Sequence, residues 1–132
     1  MTDHFRAEHS RHVLTLTFRT PESLNVMNES WFGELADHLC EAQQDTRIRA
    51  VQLCAQGEDF CAGGDLREFQ AGPLPEGYAR SAFARLLMRL DDFDEPIVAA
   101  VHGRAIGGGT TLLLHCDFVF AATGTRFQLP DW

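Results

Sequence analysis

Apolar and polar positions alternate through His12–Arg19, where Val13, Leu14, Leu16 and Phe18 stand among polar neighbours, and the segment reads as a strand. Beyond it the period changes. Trp31, Leu35, Leu39 and Ala42 recur at helical spacing and line one face of a helix, with Asn28 placed to cap its start. That face is expected to be buried. Ala50–Cys54 is a short apolar run with a β-branched residue, after which the Gly/Asp-rich stretch from Gln56 to Asp65 must turn the chain. Past a loop holding Gly72, Pro73, Pro75 and Gly77, a second helical pattern puts Phe83, Leu86, Leu87, Leu90 and Phe93 on one face, and Pro96 ends it. Ile97–Val101 then reads as a buried strand, followed by His102-Gly103, a glycine cluster at Gly107–Gly109, an apolar helix start through Leu114, and a strand at Phe118–Ala121.

Strands and helices thus alternate from end to end, the signature of an α/β protein. Strand starts near Val13, Ala50 and Ile97 lie roughly 40 residues apart with a helix between each pair, which suggests a stacked spiral of strand and helix turns. The turns share no sequence identity, so this is structural rhythm and not a repeat. At 132 residues there is room for one domain, 1–132, and an apolar fraction of 45% is enough to build its core.

Charge and cysteine usage narrow the class. A net charge of −8 argues against an extended nucleic-acid or anionic-membrane surface, while leaving room for local basic residues to bind one phosphorylated cofactor. Met1–Arg11 is too polar for a signal sequence, and no apolar run approaches the ~18 residues of a membrane span. Cys40, Cys54, Cys61 and Cys116 are widely spaced without a C-x-x-C pair, which argues against a disulfide scaffold or a zinc site. The expectation is a reduced, cytoplasmic protein with buried thiols.

Candidate chemistry sits in two glycine-rich segments. Phe60-Cys61-Ala62-Gly63-Gly64-Asp65-Leu66-Arg67 follows a strand and leads into a helix. Glycines there let backbone approach a ligand, and the opening amides of a helix are unpaired donors at a positive dipole end. A plain tight turn accounts for the same residues. Gly103-Arg104-Ala105-Ile106-Gly107-Gly108-Gly109-Thr110-Thr111 again joins strand to helix. Glycines inside a helix cost about 0.5–1 kcal/mol each relative to Ala, so something must compensate. Close helix packing and an anion-binding role are both open. Nucleotide frames fail: Gly109 stands where a P-loop lysine belongs, and the G-x-G-x-x-G frame breaks at Leu112.

Together these segments resemble the crotonase (enoyl-CoA hydratase/isomerase) superfamily. Its pattern runs N-x-M/N-A at the start of a helix, then F-C-A-G-x-D-L, then P-V-I-A-A-V-x-G-x-A-x-G-G-G, then C-D. This chain supplies Asn25-Val26-Met27-Asn28, Phe60–Leu66, Pro96–Gly109 and Cys116-Asp117, and the resemblance runs from about Val13 to the last residue. It implies a spiral of strand-strand-helix turns, truncated before C-terminal helices that cover the site and build trimers or hexamers. It also implies an acyl-CoA substrate, with coenzyme A arriving as part of that substrate and no tightly bound cofactor or metal. The catalytic groups carried over are the backbone amides of Gly64 and Gly108, paired as an oxyanion hole for an enolate, each typically worth ~3 kcal/mol in the transition state. Ala62, Gly64, Asp65, Leu66, Arg67 and Gly108 would line the substrate. Arg67 would meet a CoA phosphate, or else is an exposed arginine at a helix start.

Departures from the family pattern bear on the reaction. Hydratases carry a carboxylate where this chain has Thr111, which offers no acid or base at neutral pH. A second family carboxylate falls on Pro130-Asp131, making Asp131 a candidate base, although a solvated chain end explains it too. Arg126-Phe127-Gln128-Leu129-Pro130 resembles the isomerase branch, whose single glutamate would come after Trp132. Conversion of 3-enoyl-CoA to 2-enoyl-CoA is therefore favoured over hydration. The alternative is a catalytically inactive CoA-thioester-binding or oligomerisation module. A serine hydrolase on a related spiral is disfavoured, because Ser10, Ser23, Ser30 and Ser81 lie outside any strand-to-helix elbow. His102 and His115 read as core or strand-end residues, and Cys61 as packing.

Overall fold

A computed structural model of the protein describes residues 4–71 and 81–129. Gly72, Pro73, Pro75, Gly77, Pro130, Asp131 and Trp132 lie outside the described residues. The strands are β1 (Phe5–Ser10), β2 (Val13–Phe18), β3 (Ala50–Ala55), β4 (Ile97–Val101), β5 (Arg104–Ile106), β6 (Phe118–Ala121) and β7 (Arg126–Gln128). The α-helices are α1 (Glu29–Gln44), α2 (Leu66–Ala71), α3 (Ala82–Asp92) and α4 (Gly108–Thr111). One sheet has the order β1-β2-β3-β4-β6; β5 and β7 form a second, smaller one.

The large sheet holds the three expected strands side by side and parallel, with Val13 opposite Ala50 and Val51 opposite Ile97. Parallel neighbours require a crossover, and α1 supplies the one between β2 and β3. Its start is fixed by Asn28, whose side-chain oxygen accepts from the Trp31 amide at 2.8 Å. Its inner face is the expected one, with Trp31, Leu35, Leu39 and Ala42 all buried. Full burial of each large apolar side chain contributes about 2 kcal/mol.

Trp31 belongs to an aromatic cluster with Phe5, Phe18 and Phe60, in which Phe5–Trp31 and Phe18–Phe60 centroids lie 5.0 and 4.8 Å apart. Phe60 anchors the first glycine segment in the core. The second helical pattern forms α3, where Leu86 and Leu90 are buried but Phe83 is exposed. This helix stops at Asp92, before Pro96, whose carbonyl accepts from Val51 N at 2.9 Å at the mouth of β4.

Three strands escape the sequence pattern. β1 is an edge strand with Phe5 alone facing inward, paired antiparallel to β2 through the two-residue turn Arg11-His12. β5 and β7 span three residues each, too short for a period to register. They complete a second layer that continues through the isolated parallel bridges Met27↔Gly64 and Cys61↔Ala105. Each turn of the spiral therefore places one segment in the large sheet and the next in this second layer. The strand expected at Phe118–Ala121 forms, yet Phe118 and Phe120 are 58% and 66% exposed, so it is covered by none of the described residues.

Candidate active site at the paired glycine segments

The first glycine segment is stretched between two neighbours. On one side Met27 N donates to Gly63 O at 2.7 Å and Asp65 N to Met27 O at 2.8 Å, while Ala62 N donates to Leu24 O at 3.0 Å. On the other side Cys61 N donates to Arg104 O at 3.2 Å and Ile106 N to Cys61 O at 2.9 Å. Gly63 has φ of +90°, and a Cβ there would stand 2.6 Å from the carbonyl oxygen of Ile106. No other residue fits that position without a shift of backbone.

Only after Asp65 does α2 begin, so the Gly64 amide lies outside the helix that the sequence pattern attached it to. The Asp65 carboxylate accepts the Arg67 amide at 2.9 Å and pairs with the Arg67 guanidinium at 3.2 Å. That guanidinium holds the Asp65 carboxyl below its ordinary range. Arg67 is exposed at the helix start and engaged with Asp65, and Leu66 is 67% exposed beside it.

The second segment follows β4. Gly107 N donates to Gln128 O at 2.8 Å, tying the turn to β7, and α4 opens at Gly108. Gly109 is buried against the first segment, where a Cβ would meet Cys61 O at 2.5 Å and Cys61 Cβ at 2.9 Å. Close packing thus explains Gly109. It does not explain Gly108, whose Cβ direction meets the Met27 sulfur at 2.9 Å, an atom on a flexible side chain.

Gly64 and Gly108 are brought together by the Cys61↔Ala105 bridge, each standing three residues beyond its bridged partner. A Cβ on Gly63 would lie 3.6 Å from the Gly108 amide nitrogen. Neither the Gly64 nor the Gly108 amide donates a hydrogen bond to any described residue. Two unpartnered main-chain donors at half-buried positions are suited to an oxygen that carries developing negative charge.

Other candidates fall into place around this pair. Thr111 is exposed, and its hydroxyl donates to Gly108 O at 3.3 Å. Cys61 is fully buried, its thiol pushed up to about 12 by desolvation, with Sγ donating to Asn25 O at 3.1 Å. It is a packing residue, as expected. His102 stands at the end of β4 with Nε2 2.6 Å from Gly57 O, whereas His115 is exposed on a 3-10 turn and not in the core. Among the described residues no three His, Cys, Asp or Glu side chains gather as metal ligands, and no helix is long and apolar enough to cross a membrane.

Sequence reasoning missed the polar network beneath the first segment. Asn25, fully buried, accepts from Thr20 N at 2.9 Å and donates to Gln56 O and Asp59 O at 2.9 and 3.2 Å. Asp59 in turn takes both the backbone amide and the guanidinium of Arg104. Isolated polar residues beside a motif are the faint signal for it.

Comparison with known proteins agrees with this architecture. The family model described as enoyl-CoA hydratase/isomerase matches residues 8–132. Over 122 residues the chain is 38% identical to the 1,2-epoxyphenylacetyl-CoA isomerase of Escherichia coli (strain K12), covering 89% of this chain and 47% of that protein. It is 35% identical over 119 residues to the 2,3-dehydroadipyl-CoA hydratase of the same organism, covering 90% and 46%. The solved enoyl-CoA hydratase/isomerase from Pseudoalteromonas atlantica T6c superposes with a TM-score of 0.89 at 40% identity, covering 97% of this chain and 50% of that one. The chain spans about half the length of these relatives. With its α/β spiral and both glycine segments inside the matched region, it belongs to the enoyl-CoA hydratase/isomerase family and has the crotonase-type fold.

Proposed function

We propose that the protein binds an acyl-CoA thioester with its carbonyl oxygen between the amides of Gly64 and Gly108, and stabilises the enolate formed there. The observation that supports this reading is that both amides lack a partner among the described residues, on two segments joined by the Cys61↔Ala105 bridge. When a proton leaves the carbon next to the thioester, negative charge moves to that oxygen. Donors already in position stabilise it without reorganising, by typically ~3 kcal/mol each.

The favoured reaction is conversion of 3-enoyl-CoA to 2-enoyl-CoA, in which one proton leaves carbon 2 and returns at carbon 4. Thr111 supports this over hydration, since two-carboxylate hydration lacks one of its groups. Asp131 is the candidate base. Ala62, Asp65, Leu66 and Arg67 border the thioester and its coenzyme A, with Arg67 shared between Asp65 and a phosphate. Coenzyme A enters as part of the substrate, and no further cofactor is required. The relatives named above, an isomerase and a hydratase of acyl-CoA compounds, support the substrate class.

In the same reading the chain acts in the cytoplasm as one domain and assembles with further copies, as a trimer or hexamer. The exposed apolar side chains of Phe118, Phe120 and Phe127 favour association. Thr111 also leaves a second reading, a CoA-thioester-binding module without turnover. Assay of 3-enoyl-CoA and 2-enoyl-CoA side by side tests both. Isomerisation without hydration is expected; hydration alone would overturn the isomerase reading, and binding without turnover would favour the module.

A further inference from the structure

We infer that Asp59 and Arg104 lock the register between the two glycine segments and so act as positioning residues for the Gly64 and Gly108 amides; the inference rests on the two-amide reading above. The register matters because each amide stands three residues beyond one bridged pair, Cys61 and Ala105. That bridge is one residue pair long, with the Phe60 and Cys61 amides donating to Arg104 O at 3.0 and 3.2 Å and the Ile106 amide to Cys61 O at 2.9 Å, and a side-chain clamp adds to it. Slippage by one residue would displace one amide relative to the other by about 3.3 Å, more than a hydrogen bond tolerates.

Asp59 and Arg104 stand just before the bridged residues on the two segments. The Asp59 Oδ1 accepts both the Arg104 backbone amide at 3.1 Å and Nε at 3.0 Å, and Oδ2 accepts Nη2 at 2.8 Å. One carboxylate therefore grips main chain and side chain of the same residue, and the planar fork fixes direction as well as distance. The Asp59 side chain is 8% exposed and that of Arg104 49%, so the carboxylate end of the pair is buried.

The main chain around Asp59 is held from both sides. Asn25 Nδ2 donates to the Asp59 carbonyl at 3.2 Å. Gly103 is pressed so closely on the Glu58 carbonyl that a Cβ would collide with it, and His102 Nε2 lies 2.6 Å from Gly57 O. Only four residues separate Asp59 from Gly64, with Cys61 bridged to Ala105 and Gly63 at φ of +90°, and no helix lies between the clamp and the amide.

The test is infrared spectroscopy of a saturated acyl-CoA, carbon-13 labelled at the thioester carbonyl, bound to the 132-residue chain. Two amide donors lower the carbonyl stretching frequency from that of the free ligand. Arg104→Met removes the fork, leaves the backbone amide on Asp59 and changes a half-exposed side chain; Asp59→Asn keeps shape and one acceptor. Each is expected to bind more weakly and to lose much of the downshift, with Arg104→Lys regaining part of it. A purely structural role would lower the unfolding midpoint without moving the frequency of bound ligand.

A full downshift in both variants would overturn the inference while leaving the two-amide reading intact. Absence of any downshift in the unaltered chain would overturn that reading, and the inference with it. Unfolding of every variant, Arg104→Lys included, would make the pair a determinant of folding and overturn the positioning role.

Discussion

The carbonyl oxygen of Cys61 lies so close to Gly109 that a Cβ built on the glycine would stand 2.5 Å from it. Two main-chain segments thus touch without room for a methyl group. Gly109→Ala should destabilise the fold by about 1–3 kcal/mol through overpacking against backbone. Gly33→Ala, on α1, has the opposite expectation. Its Cβ would meet Arg85 Nη2 at 3.2 Å, the far end of a long side chain that can give by a few tenths of an ångström while Nη1 keeps its 2.6 Å contact with Asp37, so better helix propensity should add about 0.5–1 kcal/mol. Urea unfolding midpoints of the two variants check both signs.

Asn25 is the residue whose loss should cost most per atom removed. Its amide satisfies Thr20 N, Gln56 O and Asp59 O inside the protein. Asn25→Ala leaves these groups unpaired, and φ of +54° at this position adds strain for alanine. The expected loss is about 2–4 kcal/mol. A midpoint within experimental error of the unaltered chain would refute this account of the network.

Burial pushes the Cys61 thiol up to about 12. At pH 8 it is therefore almost entirely protonated and also shielded from solvent, so it should resist iodoacetamide in the folded protein. In denaturant it should react at the rate of an ordinary cysteine. Mass spectrometry of peptides after timed alkylation measures the contrast, and rapid labelling of folded protein would restore Cys61 as a candidate nucleophile.

The Arg104 guanidinium holds the Asp59 carboxyl below its ordinary range. A carboxyl with a depressed folded value binds fewer protons folded than unfolded, so its stabilising contribution is complete above the unfolded value of about 3.9 and disappears as pH falls through the folded one. Asp59→Asn should therefore flatten the acid limb of the stability curve below about pH 4 while lowering stability near neutrality. Urea midpoints collected from pH 3 to 7 read both effects.

Periodicity made β2, β3, β4 and α1 legible, because each is long enough for one face to repeat and that face is buried. β1 lacks the signal: Phe5 alone points inward, and Arg11, with φ of +57°, makes the turn without the usual Asn-Gly pair. Gly64 and Gly108 were legible through their motifs, although the sequence attached both amides to helix starts when Gly64 stands in a bridge to Met27. The Asn25–Asp59–Arg104 network was not, since its bonds join residues 34 and 45 positions apart and no local pattern encodes them. The exposure of Phe118 and Phe120 was equally invisible, because an apolar run says that a strand forms and not what covers it.

A ligand that lacks the thioester oxygen separates the proposed hold of the Gly64 and Gly108 amides from every other contact with the acyl-CoA. Calorimetric titration of the chain with a saturated acyl-CoA, and with the S-alkyl thioether of the same length, isolates the carbonyl. Loss of two hydrogen bonds should weaken thioether binding by about tenfold or more. Equal affinity for the two ligands would mean that neither amide holds the thioester oxygen.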